Sequence, residues 1–140
     1  MTSNSGMLKE SQKAILPKDK YDEPAVAHIS TLPESSIAPL IPELLTWLQD
    51  VAWPIARPVK TLLLRHPHLI VEPVREVLVG NDDEWKDNCL TQIVEELPRK
   101  QQQALKQEVE RIARSPTTGE EEFETQDTAR NILEKLESPV

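Results

Sequence analysis

The 140-residue chain is poor in cysteine, glycine and aromatics, with one Cys, three Gly, three Trp, one Tyr and one Phe. A single cysteine, Cys89, excludes an internal disulfide and points to a reducing, cytoplasmic setting. So few glycines leave no material for a phosphate-cradling loop, a dinucleotide fingerprint or a nucleophile elbow. No Asn-Gly or Asp-Gly pair occurs and no stretch sustains period-two alternation, which argues against a β-sheet. Apolar runs fall far short of the roughly 20 residues a membrane span requires, so no membrane association is expected. The first fifteen residues lack the apolar core of a secretory signal and read as a flexible N-terminal segment (1–15). Scarce aromatics mean that the core must be built from Leu, Ile, Val and Ala.

Acidic residues, by contrast, are abundant. The 24 acidic residues outnumber 16 basic ones, giving a formal net charge of −8. Such a field disfavours a polyanion, so nucleic acid is not expected as a partner. Proline is also abundant, at twelve residues. Many prolines with few glycines suit a helical chain, because proline fits the first turn of a helix whereas glycine serves hairpins.

Helical spacing follows through the chain. Asp22 is placed to cap a helix presenting Ala25, Val26, Ile29 and Leu32, with Pro24 in its first turn. Ser35 or Ser36 opens a second, with a stripe of Leu40, Ile41, Leu44, Leu45 and Leu48. A third shows Ile55, Val59, Leu62 and Leu63, and a fourth Leu69, Ile70, Val74, Val77 and Leu78, closing at Gly80. Asp82 is a cap for a fifth helix bearing Trp85, Cys89, Leu90, Ile93, Val94 and Leu97. A sixth carries Leu105, Val109, Ile112 and Ala113, and the last Ala129, Ile132, Leu133 and Leu136. The acidic run from Glu120 to Glu124 reads as a solvated loop between these two. The expectation is an all-α chain of about seven helices in a single domain over 16–138.

Asp50-Val-Ala-Trp53 and Asp82-Asp-Glu-Trp85 both read D-x-x-W, 32 residues apart, each ahead of an apolar helix that ends at a proline. Recurrence at that period suggests two-helix units stacked as a HEAT-like α-solenoid. The blocks Leu16-Pro-Lys-Asp-Lys-Tyr-Asp22, Ile41-Pro-Glu-Leu-Leu-Thr-Trp-Leu-Gln-Asp50, Trp53-Pro-Ile-Ala56 and Asp82-Asp-Glu-Trp85 resemble a domain-of-unknown-function family. That family consists of small helical, HEAT-repeat-like proteins, mostly bacterial and some fungal. The resemblance implies a fold and, because the family has no established activity, assigns no catalytic residues.

Trp47, Asp50, Trp53, Asp82 and Trp85 form the candidate binding surface. Tryptophan anchors interfaces because it buries a large area and retains one donor. The plainer alternative is that Asp caps a helix and Trp staples the pair beneath it, and local structure is favoured. His66-Pro-His68 offers two imidazoles where a metal site needs three or four ligands, so no metal and no cofactor is expected. Cys89 lies on an apolar stripe and reads as core. Adjacent carboxylates on a helix diverge by about 100° and do not converge into an acid–base pair. The sequence therefore points to a non-enzymatic protein-binding module, an adaptor or an inhibitor of a basic partner. The competing reading is an enzyme or small-ligand binder using a pocket near the two D-x-x-W units.

Overall fold

The computed structural model describes residues 8–138, all helix and connecting turns with no strand among them. Their contacts divide the chain into two compact units, one ending at Leu69 and one beginning at Ile70. The first holds α1 (Glu10–Ile15), α2 (Glu23–Ser30), α3 (Glu34–Ile37), α4 (Ile41–Leu45) and α5 (Ala56–Leu64). Helix α6 (Pro67–Leu78) begins in the first unit and continues into the second. The second unit then has α7 (Asp83–Gln92), α8 (Arg99–Ala104), α9 (Lys106–Arg114), α10 (Thr118–Glu122) and α11 (Thr125–Glu137). None of these helices is long and apolar enough to cross a membrane.

Among the described residues eleven α-helices replace the roughly seven expected, and proline explains the division of the second. The stripe from Leu40 to Leu48 is one apolar path, but its backbone changes pitch repeatedly. Helix α3 gives way to a 3₁₀ turn at Ala38–Leu40, then α4, then another 3₁₀ turn at Thr46–Leu48. Pro39 and Pro42 lack the N–H that a continuous helix would use. Ile37, Leu40, Ile41, Leu44, Leu45 and Leu48 are nonetheless all buried, so the hydrophobic pattern survives the segmentation. The second addition is α10, inside the acidic run expected to be a loop. At the N-terminus, Glu10–Ile15 is helical, while residues 1–7 of the expected mobile segment lie outside the described residues.

In the first unit, α5 packs against α2 and α4. Its Val59, Leu62 and Leu63 are buried beside Val26 and Ile29 of α2 and Leu44 and Leu45 of α4. Asp22 caps α2 as expected, its Oδ1 accepting from the Ala25 amide at 3.3 Å and its Oδ2 from the Lys18 amide at 2.9 Å. The Ile55 amide donates to the Lys20 carbonyl at 3.1 Å, which ties the start of α5 to the approach to α2.

In the second unit, α9 and α11 pack along one another, and α7 contacts both α10 and α11. Cys89, Leu90, Leu105, Val109, Ile112, Ala129 and Ile132 are buried here. Burying each large aliphatic side chain contributes about 1.5–3 kcal/mol, the main force holding either unit. Between α10 and α11 the chain turns at Glu124, whose φ of 55° lies in the left-handed region usually left to glycine.

Candidate functional site

The two D-x-x-W stretches fall in different units and fold differently. In the first, Asp50 caps no helix. Its Oδ1 accepts from the Ala52 amide at 2.9 Å, and its carbonyl accepts from the Trp53 amide at 3.2 Å, so the stretch is a side-chain-braced turn. Trp47 and Trp53 meet edge to face across this turn, with ring centroids 5.5 Å apart and planes at 70°. Both rings are half-buried, and Val51 at the tip of the turn is 46% exposed. In the second stretch Asp82 is a true N-cap, its Oδ1 accepting from the Trp85 amide at 3.0 Å at the start of α7. Trp85 is half-buried on that helix. Sequence reasoning read the two motifs as one device, because side-chain identity does not reveal which Asp oxygen meets the Trp amide.

His66 and His68 form a clasp on Glu34. His66 Nδ1 and His68 Nε2 reach the two carboxylate oxygens of Glu34 at 2.9 and 3.1 Å. These hydrogen bonds, from His66 first and then His68, hold the Glu34 carboxyl below its ordinary range. No group of three or more potential metal ligands converges among the described residues. Cys89 is fully buried, and burial, with a smaller contribution from the Asp82 charge, raises its thiol pKa far out of the reactive range.

The most unusual electrostatics lie where a solvated loop was expected. Thr117 and Glu120 make a reciprocal capping box at the start of α10: the Glu120 amide donates to the Thr117 hydroxyl, and the Thr117 amide donates to Glu120 Oε1 at 2.9 Å. The Glu120 side chain is completely buried. Lys86 of α7, itself only 3% exposed, donates to Glu120 Oε2 at 2.8 Å. Arg111 of α9 donates to both carboxylate oxygens, at 2.7 and 2.6 Å. Asp83 completes the set, 3.0 Å from Lys86 Nζ. Burial acts to raise the Glu120 pKa, but Arg111, Lys86 and the Thr117 amide outweigh it and hold the carboxyl at about 2. Burial likewise opposes the charge on Lys86, and its bonds to Glu120 and Asp83 leave its pKa raised. Two cations and two carboxylates balance here, as a buried cluster requires. One local signal was available in the sequence, because Thr117-x-x-Glu120 has the spacing of a capping box. Nothing local reveals Lys86, 34 residues away.

Three cavities can be described. A groove of about 570 Å³ runs between α2 and α5 in the first unit, lined by Pro24, Val26, Ala27, Pro58, Thr61 and Leu62 with Arg57 and Arg65 among its rims. A cavity of about 560 Å³ in the second lies over the ionic cluster, lined by Asp83, Lys86, Arg111, Thr117 and Gly119. A smaller one of about 160 Å³ is lined by Leu78, Val79, Gln107, Glu108 and Arg111. None of these three is lined by Trp47, Asp50, Trp53, Asp82 or Trp85.

Helices and turns among the described residues, side-chain caps, a buried ionic cluster and a half-buried tryptophan pair beside an exposed turn define a helical scaffold. The chain belongs to the family of the domain of unknown function DUF5071, whose model matches residues 15–133. No protein with a curated description matches it.

Proposed function

We propose that the chain is a non-enzymatic protein-binding module, a small cytoplasmic adaptor or inhibitor that engages its partner through the turn carrying Asp50. The observation that carries the reading is the Trp47–Trp53 pair, half-buried and edge to face, with Val51 exposed above it. An aromatic pair held rigid by a braced turn presents apolar area with little rotamer entropy left to lose, which is how interface anchors work. Supporting it, the groups best suited to chemistry have structural engagements: Asp82 caps α7, Glu34 holds two histidines, Glu120 is paired and Cys89 is buried.

Residues 70–140 carry nine basic and seventeen acidic side chains, whereas residues 1–69 carry seven of each. An acidic second unit favours a basic partner by raising the association rate. We further propose that the helices within each unit pair in the antiparallel, HEAT-like manner that the D-x-x-W recurrence suggests. Val51→Glu and Trp53→Ala test it in quantitative co-purification: each should abolish capture of a partner while circular dichroism stays native. Retained capture by both folded variants would sink the assignment of the Asp50 turn.

A further inference from the structure

The groove between α2 and α5 has a cause in composition. The facing positions are small or ring-closed, Pro24 and Ala27 on one helix and Pro58 and Thr61 on the other, so a groove of about 570 Å³ is left open over a floor that includes Val26 and Leu62. The lining is mostly apolar, and two guanidinium groups flank it. Arg57, Thr61 and Arg65 recur at four-residue intervals along one face of α5 and its C-cap, which sets the two arginines about 12 Å apart along the axis.

Neither guanidinium makes a hydrogen bond or ion pair with any described residue. Elsewhere Arg75, Arg111, Arg114 and Arg130 all pair with carboxylates, and Arg99 with three carbonyls. Arg57 is also badly placed for the helix that carries it. It lies in the first turn of α5, where the helix dipole disfavours a cation, and no acidic residue in that turn offsets it. Glu23, on the opposite rim, lies in the first turn of α2, where the same dipole stabilises its charge.

We propose that this groove docks an acidic amphipathic helix of a partner protein, with apolar side chains on Pro24, Ala27 and Pro58 and two carboxylates on Arg57 and Arg65. Carboxylates two turns apart on one helix are spaced by about 10–12 Å, matching the arginines. A carboxylate at Arg57 also receives the N-terminal end of α5, removing the unfavourable dipole interaction. The site differs in sign and location from the surface proposed for a basic partner. It stands or falls independently of the Asp50 turn.

The test is fluorescence polarisation of the full chain with a labelled helical peptide of about 18 residues. The peptide is built from Leu, Ala and Gln, with one pair of Glu roughly seven residues apart. Two further peptides carry Gln or Lys in place of that pair. The Glu peptide should bind, with the Gln version at least about tenfold weaker and the Lys version undetectable. Arg57→Gln and Arg65→Gln should each weaken the Glu peptide by about three- to tenfold and flatten its salt dependence. Ala27→Phe, at an exposed position that fills the groove, should block binding with circular dichroism unchanged. Equal affinity for all three peptides, no binding, or binding that ignores both arginine substitutions would overturn the proposal. So would saturable binding of labelled decanoate with no peptide binding, which would reassign the groove to a small carboxylate.

Discussion

Replacing Glu120 with Gln is the sharpest perturbation of the second unit. The substitution keeps the side-chain volume and the acceptor facing Thr117, but removes a charge that Lys86 and Arg111 both meet inside the protein. Arg111 is 41% exposed and can turn to water. Lys86, 3% exposed, cannot, and keeps only Asp83. Breaking a buried pair by removing one partner costs about 3–5 kcal/mol, and the remaining Asp83 places this case near the lower figure.

The pH dependence gives a similar size. A carboxyl held at about 2 when folded and near 4.5 when unfolded contributes about 3 kcal/mol at neutral pH. Because the folded pKa is depressed, that contribution is complete above about pH 5 and is lost as pH falls from 4.5 through about 2. Urea denaturation followed by circular dichroism should therefore show Glu120→Gln about 3 kcal/mol less stable at pH 7. The deficit should shrink towards zero near pH 2. Glu122→Gln, at an exposed position of the same helix, should stay within about 0.5 kcal/mol of the parent. Lys86→Met combined with Glu120→Gln should recover part of the loss, since no unpaired ammonium remains. A Glu120→Gln protein indistinguishable from the parent at pH 7, or a deficit constant from pH 7 to pH 2, would refute the buried-charge reasoning.

Gly119→Ala should destabilise by about 1–2 kcal/mol, because its new methyl group collides with the Asp83 carboxylate that holds Lys86. The loss should shrink in thermal melts when Asp83→Ala is added. Glu124→Gly should raise stability by up to about 1 kcal/mol by relieving the left-handed backbone, a gain readable as a higher denaturation midpoint. Cys89 should react with a thiol reagent only through unfolding, so its labelling in native buffer should be at least about a hundredfold slower than in urea.

Burial was far more legible in the sequence than helix continuity. The positions read as core on α5, α9 and α11 are buried, because helical periodicity reports which face turns inward. The Asp22 and Asp82 caps were equally readable, since a cap is a contact over three residues. The Glu34–Leu48 region was harder. Its apolar stripe is compatible with one helix, and only the combined effect of Pro39 and Pro42 on the backbone divides it into α and 3₁₀ turns. Glu120 was misplaced for the opposite reason. Three consecutive glutamates suggest water, and the two cations that draw one of them inside come from α7 and α9. The Glu34 clasp likewise joins residues 32 and 34 positions apart. At the candidate surface, sequence identified Trp47, Asp50 and Trp53 but not the turn geometry that separates Asp50 from Asp82.

Whether this module works by holding another protein is best tested by native mass spectrometry of the tagged chain recovered from lysate of its own organism, run beside Val51→Glu. A stoichiometric protein adduct on the parent, absent from the folded variant, is the expected outcome. A bare chain in both samples, or a parent carrying only a small-molecule mass, would contradict it.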